Sequence, residues 1–175
     1  MIEYKLAPDL DIDQALELYV ASTLGERRPV NERERFATML KHADLIITAW
    51  DGDLLVGVSR AITDWVWTTY LSDLAVRLSH QKQGIGKELM RRTQEAAPQA
   101  KLLLLAAPAA ANYYGHAGFT NLPNAWWLPR SASLVTTAWL MSTQYVSTPD
   151  GRQLPVAMAC RVEASMRATL IPGSR

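Results

Sequence analysis

The sequence has little cysteine, little histidine and almost no net charge, and each shortage narrows what the protein can be. A single cysteine, Cys160, stands among 175 residues, so no disulfide can close within the chain and the pattern fits a reducing compartment. Three histidines, His42, His80 and His116, stand singly, without the paired spacing of a metal site, and no metal is expected. Lysine and arginine total 18 against 17 aspartates and glutamates, a formal net charge of +1. That balance offers no electrostatic footprint for a nucleic-acid backbone or an anionic membrane. No run approaches the roughly 20 apolar residues that cross a bilayer. The opening Met1-Ile2-Glu3-Tyr4-Lys5 also lacks the apolar stretch of a signal peptide. These absences together point to a cytoplasmic protein that engages neither nucleic acid nor membrane.

What remains is an ordinary folding composition. Hydrophobic residues make up 49% of the chain and charged residues 20%, enough apolar material for one domain with a full core. Ile2 to Leu6 alternates as a first strand. Asp11 or Asp13 is placed to cap a helix carrying Ile12, Ala15, Leu16, Leu18, Tyr19 and Leu24 at helical spacing. Gly25 and Pro29 interrupt it, and Asn31 is placed to cap a second helix, Glu32 to His42, with an apolar stripe of Phe36, Met39 and Leu40. Asp51-Gly52-Asp53 sits between two β-prone runs, Asp44 to Trp50 and Leu54 to Ile62, as a hairpin signal. Trp67 to Arg77 reads as another strand and Lys87 to Ala97 as an amphipathic helix ended by Pro98. Lys101 to Ala106 is apolar enough to read as a central strand covered on both faces. A short helix over Ala109 to Ala117 follows, then Gly118 and a strand from Phe119. The order predicts a mixed α/β fold with one βαβ crossover.

The segment Gln81-Lys82-Gln83-Gly84-Ile85-Gly86 lies between a strand and an amphipathic helix. A helix start leaves N–H groups unpaired and carries about half a positive charge. Glycine there removes the Cβ that would keep phosphate oxygens from those amides, and Lys82 and Lys87 add mobile positive charge. The loop therefore suits a pyrophosphate. It is neither a Walker loop nor the three-glycine dinucleotide fingerprint, and it follows the fourth predicted strand rather than the first.

Three motifs in order resemble the GNAT superfamily of acyl-CoA-dependent N-acetyltransferases. Gln81, Gly84 and Gly86 match the family's Gln/Arg-x-x-Gly-x-Gly/Ala loop, and Asp73-Leu74-Ala75-Val76 resembles its splayed fourth strand. Tyr113-Tyr114-Gly115-His116-Ala117-Gly118-Phe119 resembles its aromatic-Tyr-x-x-x-Gly-Phe motif. Arg60-Ala61-Ile62-Thr63-Asp64 and Trp126-Trp127-Leu128-Pro129-Arg130 are similar to stretches of a branch containing small bacterial acetyltransferases and plastid serotonin-N-acetyltransferase-like enzymes. The resemblance spans residues 1–130 and implies a GNAT-like, mostly antiparallel mixed sheet with splayed central strands flanked by helices. Two positions depart from it: Ala107 stands where many members have a cofactor-contacting asparagine, and Leu78-Ser79 replaces a proline after the fourth strand.

The resemblance implies acetyl-CoA as acyl donor and transfer of acetyl to the primary amine of a small molecule, by direct attack in a ternary complex. It assigns the pyrophosphate to Gln81, Lys82, Gln83, Gly84, Ile85, Gly86 and Lys87, and the pantetheine arm to Leu74, Ala75 and Val76. A phenol is a proton donor at neutral pH, so Tyr114 is the expected acid for the departing thiolate, while Tyr113 reads as core. A backbone N–H near Leu74 or Val76 is the expected oxyanion donor, freed by a bulge. Asp73 reads either as a base toward the amine or as a structural hydrogen-bond acceptor, and Asp64 as structural or substrate-facing. The charges of Arg27-Arg28 and Glu32 to Arg35 read as a solvated face, although in this superfamily the segment between the first two helices borders the acceptor. Two other readings fit the same residues: a peptide or protein acceptor, and a non-catalytic acyl-CoA-binding module, against which Tyr114 speaks.

Residues 131–175 fall outside the resemblance. Ser133 to Val146 and Leu154 to Val162 are β-prone runs on either side of Thr148-Pro149-Asp150-Gly151-Arg152, a turn signal. They predict a C-terminal hairpin. An isolated hairpin needs a surface to pack on, and a second copy of the chain, giving a homodimer, or the chain's own sheet are the two candidates.

Overall fold

Asp11 starts the first helix through its side chain, which accepts a hydrogen bond from the N–H of Gln14 at 3.0 Å. In the computed structural model, which describes residues 1–131, 145–147 and 153–155, that helix is α1 (Ile12–Ala21), burying Ala15, Leu18 and Tyr19. It stops sooner than its apolar spacing suggests, because Thr23 turns left-handed at φ 67° and a tight 3-10 turn, Leu24–Arg27, follows. The second helix, α2 (Arg33–Lys41), is preceded by Glu32 with no side-chain cap, so Asn31 does not serve as its cap. Phe36 and Leu40 are its buried residues. The Phe36 ring meets Tyr19 edge-on, with centroids 4.9 Å apart, which locks α2 against α1.

Five strands form one sheet in the order β1-β2-β3-β4-β5: β1 (Ile2–Leu6), β2 (Leu45–Asp51), β3 (Leu54–Thr63), β4 (Thr68–Val76) and β5 (Lys101–Leu103). The first four run antiparallel in sequence order, and β5 pairs parallel with β4 after the crossover helix α3 (Ile85–Ala96). The mixed, mostly antiparallel sheet flanked by helices is as expected. One core layer joins Leu18, Tyr19, Phe36 and Leu40 of α1 and α2 to Ile46, Val58 and Ala75 of the sheet. The other joins Ile85 and Leu89 of α3 to Ile47, Ala49 and Val56. Gly57 marks how tightly α3 sits: a Cβ there would lie 3.0 Å from Leu89 Cδ1 and 3.2 Å from Ile85 Cγ2, closer than packed side chains tolerate.

Two local readings change. The apolar run after Lys101 is a strand only through Leu103, and it lies at the edge of the sheet among the described residues. Leu103 is 37% exposed and Leu105 59%, because only β4 flanks this strand. No strand begins at Phe119 among the described residues. Instead Gly118 turns left-handed at φ 93°, and the Phe119 N–H donates back to the Tyr114 carbonyl at 3.0 Å, closing the end of α4 (Ala111–His116) as an αL turn does.

The structure divides into two units, Met1–Asn121 and Leu122–Arg175. In the second, β6 (Tyr145–Ser147) and β7 (Gln153–Pro155) pair antiparallel, with Val146 opposite Leu154. The turn predicted at Thr148 to Arg152 and the remainder of both predicted runs lie outside the described residues.

Candidate active site

Parallel strands β4 and β5 are joined over only three pairs, Thr68 with Lys101, Thr69 with Leu102 and Tyr70 with Leu103. β4 then runs on to Val76, bonded to β3 alone among the described residues. One flank of Leu71–Val76 is therefore an open edge in the interior of the fold, where an extended ligand arm can lie against unpaired backbone. The register between β3 and β4 slips within this stretch: Arg60 faces Asp73 and Ala61 faces Leu71, leaving Ser72 as the bulged residue. The bulge was expected at Leu74 or Val76; it lies instead at Ser72, and Leu74, Ala75 and Val76 pair regularly with Ser59, Val58 and Gly57.

The chain leaves β4 and enters the 81–86 loop directly. His80 is engaged at its base, with Nδ1 2.8 Å from the Ser79 hydroxyl and Nε2 3.4 Å from the Asp51 carboxylate. Gln81 bends back, donating from Nε2 to the Val76 carbonyl at 3.1 Å, and Gln83 donates to the Ser79 carbonyl at 3.4 Å. These side chains brace the loop against the end of β4. Lys82 and Gly84 are both left-handed, at φ 61° and 83°, and Gly84 is the residue ahead of α3. It provides no side-chain cap, and the first intrahelical bond runs from the Glu88 N–H to the Gly84 carbonyl at 3.0 Å. The N–H groups of Ile85, Gly86 and Lys87 come before it and point out of the helix start. A Cβ on Gly84 would meet no atom within 4 Å, so it would project into open space beside the helix start. Lys82 and Lys87 are exposed beside this space. The chemistry fits a pyrophosphate: amides at a helix start, open access and two ammonium groups that form no ion pair among the described residues.

Tyr114 lies on α4, half-buried between Tyr113 and Phe119, whose rings meet it edge-on at 5.4 and 5.6 Å. Burial is the main force raising its phenol above the ordinary value of 10.0, while the nearby Arg27 guanidinium pulls it partly back. The group is a neutral donor at physiological pH. Tyr113, read as core, is 44% exposed instead, because α4 presents its ring at the rim to shield Tyr114.

Asp73 is not placed to act as a base. Its side chain is fully buried, and Oδ1 accepts from Arg28 Nε at 2.5 Å. Oδ2 accepts from Arg60 Nε at 2.5 Å and from the Tyr19 hydroxyl at 2.9 Å. A base must be within reach of the proton it takes, and both oxygens here are spent on structure. The same arginines grip the bulge. Arg28 Nη2 donates to the Ser72 carbonyl at 2.8 Å and Arg60 Nη2 to the Ser72 hydroxyl at 2.6 Å. Burial strongly raises the Tyr19 phenol, with the Asp73 charge adding to the effect, so Tyr19 stays a donor to the carboxylate. Asp64 is structural too: its Oδ1 accepts from the N–H groups of Val66, Trp67 and Thr68 and shapes the turn between β3 and β4.

The sequence reading missed Arg28, Arg60 and Tyr19 as members of one network. Arg28 was grouped with solvated charges, and Tyr19 with the apolar face of its helix. The signal that was available is Arg60, an arginine in the middle of a β-prone run, which requires a buried acid nearby. Among the described residues no cluster of three or more His, Cys, Asp or Glu side chains is arranged for a metal ion, and no helix is long and apolar enough to cross a membrane.

Comparison with known proteins gives a consistent result. Residues 12–119 match the acetyltransferase (GNAT) family. No curated protein matches the chain. Among solved structures, a GNAT-family acetyltransferase from Streptococcus pneumoniae is similar at 28% identity and a TM-score of 0.60, over 74% of this chain and 99% of that one. A probable acetyltransferase from Staphylococcus aureus shares the fold at 22% identity and a TM-score of 0.62, over 74% and 98% of the two chains. So does AAC(6')-Iy, solved with the bisubstrate analog CoA-S-monomethyl-acetylneamine, at 11% identity and a TM-score of 0.60, over 75% and 99%.

Proposed function

The chain belongs to the acetyltransferase (GNAT) family, and from that premise we propose that it uses acetyl-CoA to acetylate the primary amine of a small molecule, by direct attack within a ternary complex. The observation that carries this reading is the uncapped start of α3 at the open flank of β4. The amides of Ile85, Gly86 and Lys87, with Lys82 and Lys87 beside them, bind the pyrophosphate. The loop side chains Gln81 and Gln83 hold Gly84 where a ligand can approach. The free edge of Leu74, Ala75 and Val76 receives the pantetheine arm; that the similarly folded AAC(6')-Iy was solved with a CoA-derived bisubstrate analog supports a CoA ester as the donor.

The reaction needs the amine nitrogen to bond to the thioester carbonyl carbon while the carbon–sulfur bond breaks. Backbone N–H groups beside the Ser72 bulge stabilise charge on the carbonyl oxygen. Tyr114 gives its proton to the departing thiolate, and the attacking amine loses its own proton to water. Burial suits Tyr114 to this role by keeping the proton on oxygen until the sulfur needs it.

The test is free-thiol release from acetyl-CoA across a panel of small amines and peptides. Tyr114→Phe should lower kcat by about a hundredfold to ten-thousandfold while calorimetric acetyl-CoA binding stays near wild type. The pH profile should keep its acid form past pH about 10, where a free phenol is already half ionised. Wild-type turnover in the Phe variant would remove Tyr114 from the chemistry. Transfer only to peptides would move the acceptor to the protein class.

A further inference from the structure

The Asp73 network carries unequal charge: two guanidiniums, Arg28 and Arg60, share one carboxylate. Asp73 and Arg60 are sealed from solvent, with side chains 0% and 5% exposed, whereas Arg28 is 24% exposed. The surplus positive charge therefore reaches the surface through Arg28. Its guanidinium is fixed in direction, because Nε is held by Asp73, Nη2 by the Ser72 carbonyl and Nη1 by the Arg27 carbonyl at 2.8 Å. Each terminal nitrogen keeps one further N–H that these bonds do not use.

Arg27, the next residue back, is exposed and forms no ion pair among the described residues. It sits close enough to Tyr114 to lower the proton affinity of that phenol. Glu26, on the same 3-10 turn, is also exposed, and consecutive residues of such a turn project about 120° apart. One short connection thus carries two neighbouring cations, Arg28 held over the β4 bulge and Arg27 exposed next to it in the chain. The one carboxylate in contact with Arg28 is already shared with Arg60.

We infer that Arg27 and Arg28 bind an anionic group, carboxylate or phosphate, on the acceptor amine, so that the preferred acceptor is an amino acid-like or phosphorylated amine rather than a polycation. This rests on the acetyltransferase reading above. A guanidinium fork pairs with either anion in a bidentate manner, and a second positive charge on the acceptor would be repelled where these arginines stand. The anion would set the distance from the amine to the thioester through Arg28, which is anchored to the same bulge that shapes the open strand.

The experiment compares matched acceptors with the purified full-length chain: amino acids against their decarboxylated amines, and amino sugar phosphates against the unphosphorylated sugars. The expected result is a preference for the anionic member of at least one pair, about tenfold or more in kcat/KM and expressed mainly in KM. Arg27→Gln should bring that ratio towards one, and Arg27→Lys should restore most of it. A wild-type enzyme that turns over neutral members as well as or better than anionic ones overturns the inference. So does a ratio unchanged in Arg27→Gln. Failure of the chain to bind acetyl-CoA, or to acetylate any amine, overturns the acetyltransferase reading itself. Binding and transfer without the preference overturn only the assignment of the two arginines.

Discussion

On the face of the sheet covered by α1 and α2, a carboxylate and two guanidiniums lie inside an otherwise apolar layer; on the face covered by α3, charges stay at the rim. The first face joins Tyr19, Arg28, Arg60, Ser72 and Asp73 through bonds of 2.5 to 2.9 Å. The second packs Ile85 and Leu89 on the strands, and its buried polar contacts include two hydroxyl pairs, Ser59 with Thr93 at 2.6 Å and Thr63 with Thr69 at 2.7 Å. Its ion pairs, from Glu88 to Arg91 and Arg92, lie outside on α3. A buried ion network is a costly way to add stability, so its presence on one face calls for another explanation. That face must hold a bulged strand and an irregular connection in one arrangement, and directional bonds do this where apolar packing does not. The α3 face needs only a helix held with its uncapped start at the surface, which ordinary packing delivers.

The sharpest way to break this comparison is Asp73→Ala. It leaves Arg28 and Arg60 buried or half-buried without their shared partner and should cost about 3–5 kcal/mol, a large part of a domain's total stability. Denaturant unfolding measures it directly. A midpoint equal to wild type would mean that the network does not hold the α1–α2 face.

Gly84→Val probes the other face. A β-branched residue at φ 83° costs about 1–2 kcal/mol of backbone strain, yet the larger consequence is functional, since its side chain occupies the anion's approach. The variant should remain folded by circular dichroism and lose measurable acetyl-CoA binding by calorimetry. Retained binding would take the helix start out of the site.

Glu88→Gln should have the smallest effect. Hydrogen bonds from Arg91, with help from Arg92, hold the Glu88 carboxyl down at about 2, against an ordinary 4.5. A depressed carboxylate contributes stability above its unfolded value, and that contribution fades as pH falls from about 4.5 toward 2. Because the cluster is solvent-screened, the loss at neutral pH should stay below about 0.5 kcal/mol. Thermal melts at pH 7 and pH 3 should show the two proteins converging at the lower pH. A gap that widens with acidification would contradict the assigned direction.

The parts legible in the sequence are those written in neighbouring residues. Asp11 caps the helix it precedes, Gly84 and Gly86 mark a helix start, and the tyrosine-to-Gly-Phe spacing yields a closed α4, because capping, left-handed turns and helix periodicity act within about five residues. Composition and alternation likewise carried the mixed sheet and its order of elements. The Asp73 network was not legible: Arg28 and Asp73 are 45 residues apart, and Tyr19 and Asp73 are 54. Nothing local to Arg28 separates a solvated arginine from one aimed into the core. The fate of the run after Lys101 was equally hidden, since an apolar stretch reads the same at an edge as at a centre. The sequence by itself determined where the chain turns and where a helix start leaves its amides uncapped. Only the tertiary structure decided that Asp73 is an anchor, that Ser72 is the bulge, and that β4 parts from β5 after Tyr70. Local chemistry sets the conformation of each segment, but charge pairing and strand register are settled between segments, by which groups must share the same buried space.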